Sequence, residues 1–382
     1  MTTAATPLPY SPGLEGVIAG PTSISKVDSQ RCSLVYRGYD VQALVEAATY
    51  EEIAYLLFHG ELPNQTALST FRQLLASHRE LPPPVLAAIQ SFPKTVHPMD
   101  ALRAATALMA LHDADVEDNS PEANLRKAIR LTAQFPTAIA AYYRASADKS
   151  YIAPSSSPDV SHAENFLRMM SGESPTPLSV KVFDMTLICY AEHGFNASTF
   201  AARVTASTES DLHSAVISAI GALKGPLHGG ANEEAMKMLL EVGTVEKART
   251  WMETALAEKR KIMGFGHREY KFGDPRARIL KRVGKDLGEQ LGQPHWDAMA
   301  AALEEVMLAE KSIHPNVDFP TAYIYYMLGL PIPVYTPIFA LARIAGWSAH
   351  VMEQMAHNRL IRPKALYEGV SFRPFVALAE RG

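Results

Sequence analysis

The sequence predicts an all-α protein with a small N-terminal β decoration, on three observations. Apolar residues recur at helical spacing almost throughout, strand signal is confined to the first forty residues, and no alternation of strands and helices builds a doubly wound sheet. The strand signal is Ser33-Leu34-Val35-Tyr36, ahead of an Arg37-Gly38 turn. The first clear helix is expected at about 49–60: Thr49 and Glu52 form a capping box, Ile53, Leu56 and Leu57 share a face, and Gly60 and Pro63 stop it. Asn64 opens the next, bearing Leu68, Phe71, Leu74 and Leu75. Similar blocks cover about 98–112, 121–134, 136–148, 177–192, 196–207, 211–223, 232–242, 244–260, 275–291, 295–311 and 337–357. The serine-rich stretch Ala153–Pro158 reads as a surface loop, because helical patterning continues on both sides. Phe319 to Ala342 is an uncharged run of 24 residues, long enough to span a bilayer. Its Pro320, Pro331, Pro333 and Pro337 would break a membrane helix, so two buried segments joined by a turn are expected.

A length of 382 residues suggests two or three domains, with ample core. The two cysteines, Cys32 and Cys189, lie far apart without a CxxC or a Cys/His cluster, which gives neither a disulfide framework nor a zinc signature and points to the reducing cytoplasm. The start MTTAATPLPYSPGLEG has no basic residue before Lys26 and no continuous apolar core, unlike a secretory or transit segment. No separate regulatory module is expected before Gly13. A net charge of −4 argues against general affinity for nucleic acid or membrane. Charge placement says more than the total: from Lys259 to Lys285 ten basic residues meet two acids, so this segment carries +8 and the remainder −12. The run is interrupted by Gly264-Phe265-Gly266-His267 and Gly273-Asp274-Pro275, loop chemistry that favours a pocket for a phosphorylated ligand over a plain solvated face. A dinucleotide fingerprint is excluded, since Glu269 holds the third glycine position and no strand precedes the turn.

Three clusters pair a titratable residue with glycine or proline punctuation. In Gly225-Pro226-Leu227-His228-Gly229-Gly230-Ala231-Asn232, His228 precedes a helix expected to be capped by Asn232, whose positive end would keep it neutral and donating; a turn histidine capping the backbone is an equal reading. In Gly264–Lys271, small residues around His267 admit a ligand to the backbone, and Lys271 and Arg276 offer cationic partners. In His314–Thr321, Asp318 either caps the following helix or serves as a partly desolvated general base between Val317, Phe319 and a proline.

Together with Gly13–Ala19, Tyr36–Tyr39, His97–Asp100 and Ala191–Phe200, these clusters occur in the order found in the citrate synthase family, which the chain resembles from about Gly13 to Gly369. The resemblance implies condensation of acetyl-CoA with oxaloacetate and hydrolysis of citryl-CoA, with 2-methylcitrate synthase, which takes propionyl-CoA, as the near alternative and a silent CoA-binding protein as the distant one. It implies Asp318 as the base, His228 as donor to the thioester oxygen, and His267 as the group polarising the oxaloacetate carbonyl. His193, Arg276, Arg343 and Arg362 are the implied oxaloacetate contacts, Arg362 reaching the neighbouring subunit of a homodimer. Gly264, Phe265, Gly266, Arg268 and Lys271 would receive CoA; no metal or resident cofactor is implied. The implied architecture is a large helical domain, 1–229 and 330–382, and a small mobile one, 230–329. Two positions depart from the family pattern: Glu269 replaces an aliphatic residue beside the expected CoA phosphates, and Pro320-Thr321 replaces an aromatic-Ser pair beside Asp318.

Overall fold

Capping chemistry sets most element boundaries in the computed structural model, which describes residues 10–381. The reading of the N-terminal start as free of a targeting segment falls largely on residues 1–9, outside the described residues. An antiparallel sheet comes first: β1 (Ser25–Asp28) pairs with β2 (Ser33–Tyr36), Ser25 opposite Tyr36, and β2 with β3 (Tyr39–Asp40). The β2–β3 turn uses positive φ at Arg37 and Gly38. Helices follow: α1 (Val41–Ala47), α2 (Tyr50–His59), α3 (Gln65–Ser77), α4 (Pro83–Ser91), α5 (Pro98–Leu111), α6 (Pro121–Ser146), α7 (His162–Ser171) and α8 (Pro177–Tyr190). Then come α9 (Ala197–Ala206), α10 (Leu212–Leu223), α11 (Ala231–Val242), α12 (Val245–Ala257), α13 (Pro275–Gln290), α14 (His295–Lys311), α15 (Asp318–Met327) and α16 (Tyr335–Ala356).

Glu52 reaches back to the Thr49 N–H (2.8 Å) at the start of α2, and Asn64, Ser120, Ser161, Asn196 and Asp211 each accept a first-turn N–H of the helix they precede. The blocks expected at 121–134 and 136–148 are one helix. Pro136 removes an N–H from the middle of α6, but the residue is buried among helices that pack on α6 from several sides, and this tertiary packing outweighs the lost bond. The helices α1, α4 and α7 were not expected; α1 and α4, at seven and nine residues, are too brief for a clear period. The uncharged run is the expected pair of buried segments, α15 and α16, joined through a 3-10 turn at Ile332–Val334; its prolines fall in first turns or in the connection. No helix of the described residues is long and apolar enough to cross a membrane.

The core runs along α16, buried over most of its 22 residues and packed against α2, α5, α6, α8, α9 and α10. Helices α11 to α15 pack mainly on one another, with α13 touching α1 and α8, and α11 touching α16. The loop at Ala153–Pro158 is pinned by Arg79, which donates to the carbonyls of Ser155, Ser157 and Val160.

Candidate active site

Asp318 is the first residue of α15, and the loop leading to it is fastened to the Gly264-Phe265-Gly266 turn. The Gly266 N–H donates to the His314 carbonyl (2.8 Å), the Asn316 N–H to the Gly264 carbonyl (2.9 Å), and Asn316 Nδ2 to the Gly266 carbonyl (2.9 Å). Glycine is required at 264: φ is +82° and a Cβ would lie 3.0 Å from Phe319 Cβ. Asn316 Oδ1 accepts the Asp318 N–H (3.0 Å), Asp274 Oδ2 accepts the Val317 N–H (3.2 Å), and the Asp318 side chain caps nothing. Instead its buried carboxyl accepts the Tyr190 hydroxyl at Oδ1 (2.6 Å). Burial pushes the Asp318 pKa up to about 6, against the opposing Tyr190 hydrogen bond and Arg276. Such a carboxyl is mostly ionised at neutral pH and is a stronger base than an exposed one.

His228 lies in the turn between α10 and α11. Asn232, expected from the sequence to cap α11, does not; Gly230 is the N-cap, and Asn232 sits buried in the first turn because the chain turns into the helix two residues sooner. His228 Nε2 accepts the Ser198 N–H (3.3 Å) and lies 2.8 Å from Ser198 Oγ, which also accepts Trp347 Nε1–H (3.0 Å). A backbone N–H can only donate, so Nε2 is unprotonated and Nδ1 carries the hydrogen. Burial, helped by Arg343, pushes the His228 pKa down to about 3, and the ring is neutral.

His267 has the opposite tautomer. Its Nδ1 accepts the N–H groups of Glu269 (3.0 Å) and Tyr270 (3.2 Å), leaving Nε2–H to donate, and burial followed by Arg276 pushes its pKa down to about 4. The buried His193 ring stands edge-on to His267 at 4.9 Å, its Nε2 is 3.3 Å from the Tyr270 hydroxyl, and burial then Arg276 push its pKa well down.

Two buried arginines face this group. Arg276 is locked by Asp274 through Nε–Oδ1 (3.0 Å) and Nη2–Oδ2 (2.8 Å). Burial opposes both charges, but the pair prevails, holding Asp274 below and Arg276 above its ordinary pKa. Arg343 donates Nε to the Tyr190 carbonyl (2.6 Å) and stands 4.8 Å over the Phe339 ring, while its buried Nη1 has no partner among the described residues. Burial pushes its pKa down to about 10, with Glu192 opposing. A buried guanidinium with an open nitrogen calls for an anion. Phe339 joins the parts, its ring centroid 4.0 Å from that of Tyr190 and 6.2 Å from that of His228.

The fold thus gathers His193, His228, His267, Arg276, Asp318 and Arg343, from distant parts of the chain. A raised carboxyl beside neutral N–H donors, the open Arg343 guanidinium and the Asp274-paired Arg276 is suited to removing a proton next to a carbonyl and to holding a small polyanion. Phe265 packs on Phe319 at 4.7 Å, but Arg268 is exposed and pairs with Glu15 (3.4 Å), and Lys271 is exposed. Arg362 is exposed outside the group and, among the described residues, donates only to the Pro363 carbonyl (3.4 Å). The +8 segment is less concentrated than its sequence suggests: Arg260 pairs with Glu241, Lys281 with Glu304, Arg282 with Glu46, and Arg276 with Asp274. Glu269 sends its side chain to solvent while its N–H fixes His267. Sequence reasoning missed Tyr190, Ser198, Asp274, Phe339 and Trp347. Ser198 and Asp274 lie inside the Ala191–Phe200 and Gly273-Asp274-Pro275 stretches, and Trp347 stands four residues after Arg343.

The family described as "Citrate synthase, C-terminal domain" matches residues 13–364. The chain belongs to the citrate synthase family. Citrate synthase 2 of Bacillus subtilis is 46% identical over 97% of this chain and 98% of its own. 2-Methylcitrate synthase 1 of Corynebacterium glutamicum is 44% identical over 97% of this chain and 98% of its own. Among solved structures, citrate synthase from Thermoplasma acidophilum, in a ternary complex with carboxymethyl coenzyme A and oxaloacetate, superposes with a TM-score of 0.91 at 32% identity, covering 98% of this chain and all of that one.

Proposed function

We propose that this member of the family is a citrate synthase, condensing acetyl-CoA with oxaloacetate and hydrolysing citryl-CoA to citrate and CoA. The observation that carries the reading is the pairing of a buried Asp318 carboxyl near pKa 6 with two neutral histidines whose N–H directions are fixed by backbone donors. Asp318 takes a methyl proton, the C–H electron pair becomes the enol double bond, and His228 Nδ1–H bonds the oxygen where charge gathers. His267 Nε2–H polarises the oxaloacetate ketone, so that the new C–C bond leaves its charge on an oxygen already hydrogen-bonded. Arg276, Arg343 and His193 hold the two carboxylates. Gly264, Phe265, Gly266, Arg268 and Lys271 receive CoA, and no resident cofactor takes part.

Residues 230–329 act as a small domain closing on a large one made of 1–229 and 330–382, a division supported by the packing of α11 to α15 mainly on one another. The working unit is a homodimer in the cytoplasm, with Arg362 completing the neighbouring subunit's site. Support for the dimer comes from residues 357–381, which leave the bundle exposed and carry exposed Leu366, Tyr367, Phe372 and Phe375, an apolar arm suited to a second copy. The 2-methylcitrate synthase reading has support in the 44% identical relative. One methylene is worth about 1–3 kcal/mol of discrimination. Comparing kcat/KM for acetyl-CoA and propionyl-CoA, followed by thiol release, tests the choice: acetyl-CoA is expected to be preferred, and a propionyl preference overturns it.

A further inference from the structure

Resting on the condensation reading, we infer that Tyr190 is the positioning residue for the base: its hydroxyl occupies Oδ1 of Asp318, so that Oδ2 is the oxygen that takes the proton. Tyr190 ends α8 and is fully buried, its ring lying on Phe339 with centroids 4.0 Å apart. Its hydroxyl donates to Asp318 Oδ1 at 2.6 Å, while its carbonyl accepts Arg343 Nε at 2.6 Å. One residue therefore fixes both the base and an anion-holding arginine, through different atoms. A carboxylate free to rotate about its Cβ–Cγ bond would present either oxygen; a buried phenol bonded to one removes that freedom, as a preorganised site requires. The hydroxyl also donates to the ionised form and so favours it. The charged and titratable groups around Asp318 are Asp274 and Arg276 at the start of α13, Arg343 on α16, Tyr190 on α8, and Tyr325 on its own helix. Of these, Tyr190 is the one hydrogen-bonded to the Asp318 carboxyl among the described residues.

The test is Tyr190→Phe in the full chain, which keeps the ring against Phe339 and the carbonyl under Arg343. Losing a charge-assisted hydrogen bond moves the acidic limb of the kcat–pH profile upward by about 1–2 pH units and lowers kcat at neutral pH on the order of tenfold, with oxaloacetate KM unchanged. In the substrate-free protein, the Asp318 carboxyl, assigned by its disappearance in Asp318→Asn and followed by carbon-13 NMR, moves upward by the same amount. An acidic limb and carboxyl titration that stay in place overturn the inference while leaving the condensation reading intact. A parent protein that turns over no acyl-CoA overturns the reading instead, and the NMR titration then upholds or overturns the hold of Tyr190 on Asp318. If Tyr190→Phe melts far below the parent, the same titration in Tyr190→Leu, which carries no donor and needs no more room than the tyrosine, decides by the same criterion.

Discussion

Replacing Asp318, the proposed base, by its amide is expected to stabilise the protein at alkaline pH while abolishing the proposed chemistry. In the folded chain Asp318 titrates near 6, and in the unfolded chain at its ordinary 3.8. Because the folded value is the higher, the folded state holds the proton more tightly, and an ionised Asp318 destabilises the fold. The penalty is absent below pH 3.8, grows between 3.8 and 6, and is complete above about 6. A difference of about two pKa units is worth roughly 3 kcal/mol at pH 8. Asp318→Asn removes the charge and keeps an oxygen for the Tyr190 hydroxyl, but leaves an amide NH2 to be satisfied at about 1 kcal/mol or more. The net expectation is a gain of about 1–2 kcal/mol at pH 8 that disappears or reverses at pH 4.5. Calorimetric melting of parent and variant at both pH values measures it. Equal melting points at both, or a gain confined to acid, would refute the claim that Asp318 is a buried carboxyl held in its charged form at a cost.

Three further substitutions probe the surrounding groups. Arg343→Lys loses the fork and its stacking on Phe339, and raises oxaloacetate KM about 100-fold with a smaller effect on kcat; steady-state kinetics with unchanged KM would remove Arg343 from the anion site. His228→Ala deletes the donor proposed for the developing oxyanion and is expected to lower kcat by about 10²–10³, while oxaloacetate affinity, read by calorimetric titration, holds within a few-fold. Gly264→Ala forces a Cβ against Phe319 at positive φ and costs about 1–3 kcal/mol, measured as a lower melting temperature together with weaker CoA binding; an unchanged melting temperature would show that the Gly264–Phe319 contact is slack.

Local chemistry made much of the fold legible. Thr49 with Glu52, Asn64, Asn196 and Asp211 announce helices because a cap involves only near neighbours in sequence. Pro136 misled for the converse reason: its cost is local, but the packing that outweighs it comes from helices far along the chain. At the site, His228, His267 and Asp318 stood out through the glycines and prolines around them. Tyr190 did not, since a tyrosine in Leu187-Ile188-Cys189-Tyr190 reads as core, and only the tertiary fold brings its hydroxyl to a carboxylate 128 residues away. The charge of the 259–285 segment was legible as a sum but not as a surface, because the acids that neutralise it, Glu46, Glu241 and Glu304, lie elsewhere in the sequence.

Supplying the purified protein with acetyl-CoA and oxaloacetate, and following free thiol and product together by mass spectrometry, bears most directly on the condensation chemistry. Citrate formed in a one-to-one ratio with thiol, and neither formed by Asp318→Ala, is the predicted result. Thiol released without citrate, or unchanged turnover in Asp318→Ala, would contradict it.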